Sequence, residues 1–416
     1  MTVDTSLLGS PDERANSRNA LIAGFLGWTL DAFDYFILTY VLAQVGADFH
    51  RSIVDMAETI TVSLMVRPIG ALIFGLMADR YGRRLPLMLD ILFYSIFEVL
   101  SGLARTYRTF FILRLLYGIA MGGEWGVGAS LAMESVPAKW RGILSGLLQE
   151  GYALGNLLAA LAFWRIFPHW GWRPMFFIGG LPALLVLFIR AKVKESEAWK
   201  AEAAARAGWR EYLRAVVGNW KRFVYLVLLI SVLAFMSHGT QDLYPTFLEQ
   251  QRQFSTQTTA IINAISMVGA IIGGLLVGLY SDRYGRRRAM VTSALLALLI
   301  IPAWVFAPTV AWIVVGAFGM QFMVQGAWGV VPAHTNELSP GALRGFFPGL
   351  AYQLGVLIAA GSATVEAALT RHFTYAQAMG GFAAVSFVLG AVVILAGPEA
   401  HRVRFGKVSD SAREIA

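Results

Sequence analysis

Ionisable side chains inside long apolar runs stand out in this sequence, because a charge within a bilayer costs about 2.5–3.5 kcal/mol. Asp31 and Asp34 lie in the first such run, and Arg67 lies in the second. Glu124 lies in the fourth run. Residues of this kind either pair with one another or mark a path for a solute or a proton. We therefore treat these four side chains as candidate transport residues.

Asp31 and Asp34 are three residues apart, so a helix places them on one face. Two neighbouring carboxylates disfavour joint ionisation, which suits a group that carries a proton. The alternative is that one of them simply pairs with a structural arginine. Both readings remain open from the sequence.

Arg67 precedes Pro68 in the middle of its run, and a guanidinium at that depth needs an anion. Asp31, Asp34 or Glu124 can supply that anion, and so can the carboxylate of a substrate. The sequence does not choose between a structural pair and contact with a substrate.

Two further ionisable groups in the spans receive secondary roles. Glu150, in the fifth run, is a second carboxylate candidate beside Glu124. Arg114 is expected near the outer end of the fourth run, where its long side chain can reach the water interface. We favour a structural role for Arg114.

The seventh run contains a polar cluster. His238 and Asp242 are four residues apart and can interact on one helical face, while Ser237 and Gln241 form an adjacent polar pair. Pro245 loosens the helix beside them. A purely structural polar network is possible, but the lining of a cavity fits this polarity better.

The composition is that of a membrane protein. Of the 416 residues, 57% are hydrophobic and 14% are charged, whereas a soluble protein carries about 25% charge. The net charge of +8 is explained by basic loops between apolar helices, so we expect no nucleic-acid partner. The sequence has no cysteine, which excludes disulfides and thiolate metal sites. Residues 1–18 are polar and precede an apolar run long enough to span, so we expect that run to be the first helix.

Twelve runs are long enough to span a bilayer as helices. They lie at about 19–45, 54–78, 86–104, 108–133, 141–168, 173–191, 222–248, 257–280, 288–307, 311–337, 343–370 and 374–396. This predicts an all-α membrane protein with one six-helix bundle at 1–191 and another at 221–416. The stretch 192–220 between them is charged and alanine-rich, which predicts a cytoplasmic linker with a surface helix. Because the loops on the side of the N-terminus hold most of the 34 Lys and Arg residues, we expect both termini in the cytoplasm.

The two halves are copies of each other. The segment Asp79-Arg-Tyr-Gly-Arg-Arg84 recurs 203 positions later as Asp282-Arg-Tyr-Gly-Arg-Arg287, and Trp125 recurs at the same offset as Trp328. Such parallel repeats are typical of transporters with a pseudo-twofold axis along the membrane normal. The residue that corresponds to Glu124 in the second half is Ala327, so only the first half has a carboxylate at this position and the function of Glu124 is not duplicated.

The two repeated turns are predicted to act in gating or as structural elements rather than in substrate binding. A glycine permits the tight turn, an aspartate can face a helix N-terminus, and arginines bind carboxylates. The gating candidates are Asp79, Arg80, Arg83, Asp282, Arg283 and Arg286.

These turns resemble the hallmark loop of the major facilitator superfamily, and the resemblance covers the whole chain. It implies two six-helix bundles around a central site that opens alternately to either side. The helix-7 segment from Ser237 to Thr246 is similar to the signature of fungal lactate/pyruvate–proton permeases, except that Ala234 stands where that signature has Asn. The segment 194–199 is similar to one in the sialate–proton symporter family, which includes those permeases.

The resemblance implies substrate-contacting or coupling roles for Arg67, His238, Gln241 and Asp242. The resulting hypothesis is a monomeric, cofactor-free proton symporter of small carboxylates such as lactate or pyruvate in the inner (plasma) membrane. Its candidate substrate-binding residues are Arg67, Ser237, His238, Gln241 and Trp328. Its candidate proton-coupling residues are Asp31, Asp34, Glu124 and Asp242.

Three alternatives to this hypothesis are a symporter of a larger sialic or aromatic acid, a membrane enzyme and a sensor of the same fold. An enzyme is disfavoured because no metal motif, nucleophile elbow or phosphate loop accompanies His238 and Asp242.

Overall fold

The computed structural model describes residues 11–203 and 209–406, and all regular structure within these ranges is helical. The first half contains six helices, and four of them consist of two segments. The break between the segments is one or two residues long in three of these helices and three residues long in the fourth. They are α1 (Pro11–Asp48), α2 (Ile53–Met65 and Arg67–Tyr81), α3 (Arg84–Leu103), α4 (Tyr107–Met121 and Glu124–Ser135), α5 (Arg141–Gln149 and Gly151–Trp170) and α6 (Arg173–Ile178 and Pro182–Lys192).

Two short helices, Glu197–Ala203 and Trp209–Gly218, lie between the halves where a surface helix is predicted. The second half again contains six longer helices. They are α7 (Trp220–Gln241 and Tyr244–Gln250), α8 (Thr256–Tyr284), α9 (Arg286–Val305), α10 (Val310–Leu338), α11 (Phe347–Ala359 and Ser362–Leu369) and α12 (Tyr375–Ala396).

Within the described ranges, eleven of the twelve helices are both long and apolar enough to cross a membrane. The remaining helix is α5, whose second segment includes the polar residues Asn156, Arg165 and His169. Large apolar side chains such as Leu299 and Trp164, 74% and 73% exposed, cover the outside of the bundle. That surface suits lipid as the surrounding solvent.

Helix breaks coincide with the ionisable candidates. The break in α2 lies at Val66, directly before Arg67, and the break in α4 at Gly122 and Gly123 directly precedes Glu124. The first segment of α7 ends next to Asp242. Discontinuous helices are the usual way in which transporters place backbone dipoles and side chains at a solute site.

The halves meet along α5, which packs against α8 and α10, and along α11, which packs against α2 and α4. The repeated turns follow α2 and α8 and lie at one end of the bundle, here called the loop face. Each turn contains a glycine with positive φ, 99° at Gly82 and 102° at Gly285, which a residue with a side chain rarely adopts. The described ends of the chain also reach this face, since Asn19 contacts Lys192 and His401 contacts Asp282.

Candidate transport site and gate

Arg67 forms an ion pair with Asp31. Its Nη2 lies 3.0 Å from Oδ2 and 3.3 Å from Oδ1 of Asp31, and the two side chains are 12% and 2% exposed. Of the three carboxylates that the sequence offers to this guanidinium, the structure therefore selects Asp31. The pair joins α1 to the break in α2 and leaves Arg67 as the more accessible partner.

Asp34 and Glu124 are buried, and their carboxylate oxygens have no hydrogen-bond partner among the described residues. Glu124 points at Gly27 of α1, where the Cβ of any other residue would lie 3.1 Å from its Cδ. At Gly179 of α6, a Cβ would lie 2.9 Å from Oδ1 of Asp34. A charged carboxylate without donors is costly in such surroundings, so both groups suit a role in which a proton is bound.

Arg114 does not reach the water interface as the sequence suggests. It is buried, donates a hydrogen bond to Glu98 of α3 and lies 3.7 Å from the centre of the Tyr117 ring. Glu98 supplies an anion inside the bundle, so the guanidinium has no need to extend outward. This contact fits the structural role favoured for Arg114.

His238 and Asp242 interact as their spacing predicts. Nδ1 of His238 lies 3.1 Å from Oδ2 of Asp242, and both side chains are 36% exposed. Tyr35 of α1 interacts electrostatically with both Arg67 and Asp242. The polar group of the first half and that of the second half therefore face a common region.

Ser237 and Gln241 belong to a hydrogen-bond network with α10. The Gln241 amide donates to Ser237 at 3.2 Å and to Gln321 at 2.9 Å, while the Gln325 amide donates to Ser237 at 3.1 Å. The two α10 glutamines were not among the predicted site residues, although their spacing of four residues places them on one helical face.

Trp328 is 5% exposed, and its indole donates a hydrogen bond of 3.1 Å to the Leu233 carbonyl. Its ring meets Tyr352 edge-on at 6.0 Å. Trp125, the repeat partner of Trp328, stacks on the other half's Tyr352 at 4.2 Å. The two repeated tryptophans thus meet at a tyrosine of α11, and this aromatic cluster spans both halves.

Each repeated aspartate on the loop face holds a backbone segment of the opposite half. Asp79 accepts hydrogen bonds from the amides of Gly345 and Phe346 at 2.7 and 3.2 Å. Asp282 accepts from the amides of Gly142 and Ile143 at 2.8 and 3.0 Å. These amides lie at or just before the starts of α11 and α5, where backbone N–H groups favour an anion.

Ion pairs reinforce these contacts within and between the halves. Arg83 binds Glu134 of its own half at 2.9 Å, and Glu134 also binds Arg344 of the other half at 3.1 Å. Burial lowers the pKa of Arg83, but the neighbouring Glu134 and Asp79 carboxylates outweigh this effect and raise it above its usual value.

The second half repeats this arrangement. Arg286 binds Glu337 at 2.9 Å, and Glu337 also binds Arg141 of the first half at 2.8 Å. The other two gating candidates, Arg80 and Arg283, are exposed at the surface of the loop face.

Two carboxylates that the sequence analysis did not single out secure the turns. Glu195 accepts hydrogen bonds from the amides of Arg83 and Arg84, and Glu399 accepts from those of Arg286 and Arg287, all between 2.9 and 3.1 Å. Glu399 lies 204 positions after Glu195, one more than the repeat offset, so an ungapped self-comparison does not pair them.

The C-terminal segment crosses the loop face. The ring of Phe405 lies 3.9 Å from the guanidinium of Arg141 and 4.0 Å from that of Arg344. The Val403 carbonyl accepts a hydrogen bond of 2.8 Å from Arg141. The segment therefore contacts both arginines that bridge the halves.

Three buried carboxylates in the spans were also missed, namely Asp90, Glu98 and Glu366. The cost of charge in lipid, which singles out Asp31 and Glu124, applies equally to them and is the signal that identifies them.

A crevice beside Arg67, lined by Tyr35, Ser63 and Tyr117, has a volume of about 10 Å³. That is about the room of one water molecule, so a bound organic acid requires these helices to rearrange.

The family model for the Major Facilitator Superfamily matches residues 24–361 and 243–414. A probable 4-methylmuconolactone transporter of Cupriavidus pinatubonensis is 30% identical over 97% of this chain and 94% of its own length. The sialic acid transporter NanX of Escherichia coli is 30% identical over 81% of this chain and 84% of its own length.

A carboxylic acid transporter protein homolog of Saccharomyces cerevisiae is 30% identical over 85% of this chain. The matched region spans only 62% of the length of that relative. The solved structure of the proton:xylose symporter XylE superimposes on this chain with a TM-score of 0.73 at 17% sequence identity. The superposition covers 95% of this chain and 98% of the XylE chain, which shows that the two share a fold.

These matches confirm the predicted twelve-helix fold of two six-helix bundles and the prediction that the protein is not an enzyme. With its helical spans, repeated turns and full-length family match, the chain is a multi-pass membrane transporter that belongs to the Major Facilitator Superfamily.

Proposed function

We propose that this protein is a proton-coupled symporter of small monocarboxylates such as lactate or pyruvate, of the sialate–proton symporter type, that works by alternating access. The ion pair between Arg67 and Asp31 carries the proposal. It places a partly accessible guanidinium at a helix break, and Tyr35 interacts electrostatically both with it and with Asp242, the partner of His238 in the other half.

The pair suggests how substrate and proton are coupled. A substrate carboxylate can bind the Arg67 guanidinium through two parallel hydrogen bonds and so displace Asp31. Asp31, which is 2% exposed, would then be a buried carboxylate without its cation. Uptake of a proton removes that cost, so binding of the anion and binding of the proton favour each other.

The remaining candidates receive roles around this step. Asp34 on α1 and Glu124, which is buried beside α1, are further candidates to hold that proton, and Asp242 takes part from the second half. His238 contacts the substrate directly, while the network of Ser237 and Gln241 and the Trp328 ring shape the pocket on that side.

Transport of one anion with one proton moves no net charge. A pH gradient then supplies about 1.4 kcal/mol, or tenfold accumulation, per pH unit. A membrane potential, worth about 2.3 kcal/mol per charge per 100 mV, contributes nothing. Purified protein in liposomes should accumulate labelled lactate under a pH gradient. Accumulation under a potential alone, at equal pH on both sides, contradicts the electroneutral mechanism.

A larger organic acid is the second candidate substrate. The relatives described above include transporters named for sialic acid and 4-methylmuconolactone at the same 30% identity as the carboxylic acid transporter homolog. Inhibition of lactate exchange by sialic acid, muconate and benzoate, each added in excess, separates the candidates. Stronger inhibition by one of these acids than by unlabelled lactate favours the larger substrate.

We further propose that the protein is a monomer in the plasma membrane with the loop face and both termini in the cytoplasm. The excess of basic residues in the loops of that face supports this orientation. Because the chain contains no cysteine, a single cysteine in place of the exposed Arg80 reports the side directly. In intact cells it should resist a membrane-impermeant maleimide that labels it after lysis.

A further inference from the structure

Glu366 is a buried carboxylate in the second segment of α11. It is 0% exposed, and both of its carboxylate oxygens have no hydrogen-bond partner among the described residues. A short break before Ser362 separates it from the segment of α11 that contains Tyr352, the tyrosine that meets Trp125 and Trp328.

This carboxylate faces α7 next to the polar cluster. A Cβ at Gly239 of α7 would lie 3.5 Å from its Oε1, an ordinary van der Waals distance, and 2.5 Å from the ring of Phe382 of α12. Glu366 also interacts electrostatically with Asp242. The glycine thus makes room for the Phe382 ring, and the Glu366 carboxylate packs beside it, one residue away from His238.

The charged groups around Glu366 are few. On α7 they are Asp242 and its partner His238, since Glu249 lies beyond the break in the second segment, and Lys221 and Arg222 lie at the opposite end of that helix. The α12 segment from Tyr375 to Ala396 has no acidic or basic residue. Glu366 therefore has another carboxylate as its charged neighbour and no cation of its own.

Two carboxylates in such surroundings are costly if both are ionised. His238 can stabilise the charge of Asp242, which is the more accessible of the two acids. We propose that Glu366 is a proton-binding residue beside Asp242 in the second half. Its carboxylate takes up one proton, becomes a neutral acid and later returns the same proton to Asp242. Asp242, open to the region between the halves, is its route to water. This inference rests on the proposed proton-coupled function and adds a coupling residue in the second half.

The test uses the full chain in liposomes with three variants, Glu366→Gln, Glu366→Asp and the control Glu249→Gln in the outer segment of α7. Exchange of labelled for unlabelled lactate at equal pH requires no net proton movement, whereas accumulation under a pH gradient does. We expect Glu366→Gln to exchange lactate within twofold of the wild type and to lose at least tenfold in accumulation. Glu366→Asp should restore accumulation with a displaced pH profile, and Glu249→Gln should match the wild type.

The proposal is overturned if Glu366→Gln accumulates lactate with the wild-type pH profile. It is also overturned if the variant loses exchange as well, while Glu366→Asp has an unchanged pH profile, because the residue then serves packing only. Absence of gradient-driven accumulation by the wild type is a different result, which refutes the proposed function itself.

A measurement without substrate decides the question in that case. The difference in melting temperature between the wild type and Glu366→Gln should change between pH 5 and pH 9, because glutamine does not titrate. A difference that is constant across this range refutes proton binding at Glu366.

Discussion

The carboxylate of Asp79 accepts a hydrogen bond of 2.7 Å from the backbone amide of Gly345, so a turn of the first half holds the start of a helix in the second. Asp282 makes the reciprocal contact with Gly142 at 2.8 Å. The repeated turns thus make two equivalent contacts, one from each half to the other. Because both contacts are present, the loop face is closed in this structure.

Asp79→Asn should favour opening of the loop face, because it removes the charge that receives two backbone hydrogen bonds. Such bonds contribute about 1.5–3 kcal/mol, so the population of the open state should rise at least tenfold. The readout is maleimide labelling of Ser130→Cys, a buried position whose hydroxyl contacts the Arg344 carbonyl across the interface. Asp48→Asn, an exposed aspartate, is the control. An unchanged labelling rate contradicts the gating role.

The double variant with Asp79→Asn and Asp282→Asn should open more than either single variant. The two contacts lie on different helices, so their free energies should add and their effects on the labelling equilibrium should multiply. The same labelling assay measures this. A double variant that labels no faster than Asp79→Asn alone shows that one contact controls the face.

Phe405→Ala should also speed labelling at the loop face. The ring interacts with Arg141 and Arg344, and each contact contributes about 0.5–2 kcal/mol. Phe373→Ala removes an aromatic ring that is 54% exposed elsewhere and serves as the control. If the two alanine variants label alike, the C-terminal segment does not stabilise the closed state.

Arg67→Lys should raise the apparent KM for lactate at least tenfold, because an ammonium cannot bind a carboxylate through two parallel hydrogen bonds. The charge partner of Asp31 is retained, so thermal stability should change little. Uptake kinetics in liposomes measure the effect, with the exposed Arg165→Lys as the matched control. A KM within twofold of the wild type removes Arg67 from the substrate site.

Gly70→Ala should destabilise the fold, because its Cβ would collide with the Ile119 carbonyl where α2 crosses α4. Overpacking of this kind costs about 1–3 kcal/mol. Gly381→Ala, on a helix surface with open space around the new Cβ, is the control. Melting temperatures in detergent compare the two, and equal values would show that α2 and α4 separate easily.

Sequence periodicity and the cost of buried charge predicted much of this architecture. Apolar length determines the helical spans, and the ungapped offset of 203 residues identifies both turns. Contacts within a single helix, such as that of His238 with Asp242, follow directly from spacing. An aspartate in such a turn can face a helix N-terminus, and Asp79 and Asp282 each accept hydrogen bonds from backbone amides at the start of a helix.

Contacts between distant helices could not be read in the same way. Three carboxylates were available to Arg67, and only the packing of α1 against α2 selects Asp31. Arg114 was placed at the water interface because its partner Glu98 lies on another helix. Phe405 is one aromatic residue near the end of the chain, and nothing in its local sequence indicates two arginines around it.

The carboxylates Glu134 and Glu337 each bind one arginine from their own half and one from the other half. When the halves separate, each carboxylate keeps its own arginine, Arg141 and Arg344 lose these carboxylates, and Arg344 keeps Glu202 at 3.5 Å. The open vestibule would therefore be rimmed by two guanidinium groups. Such a rim concentrates anions at the entrance, so the arginines that close the loop face in one state attract a carboxylate substrate in the other.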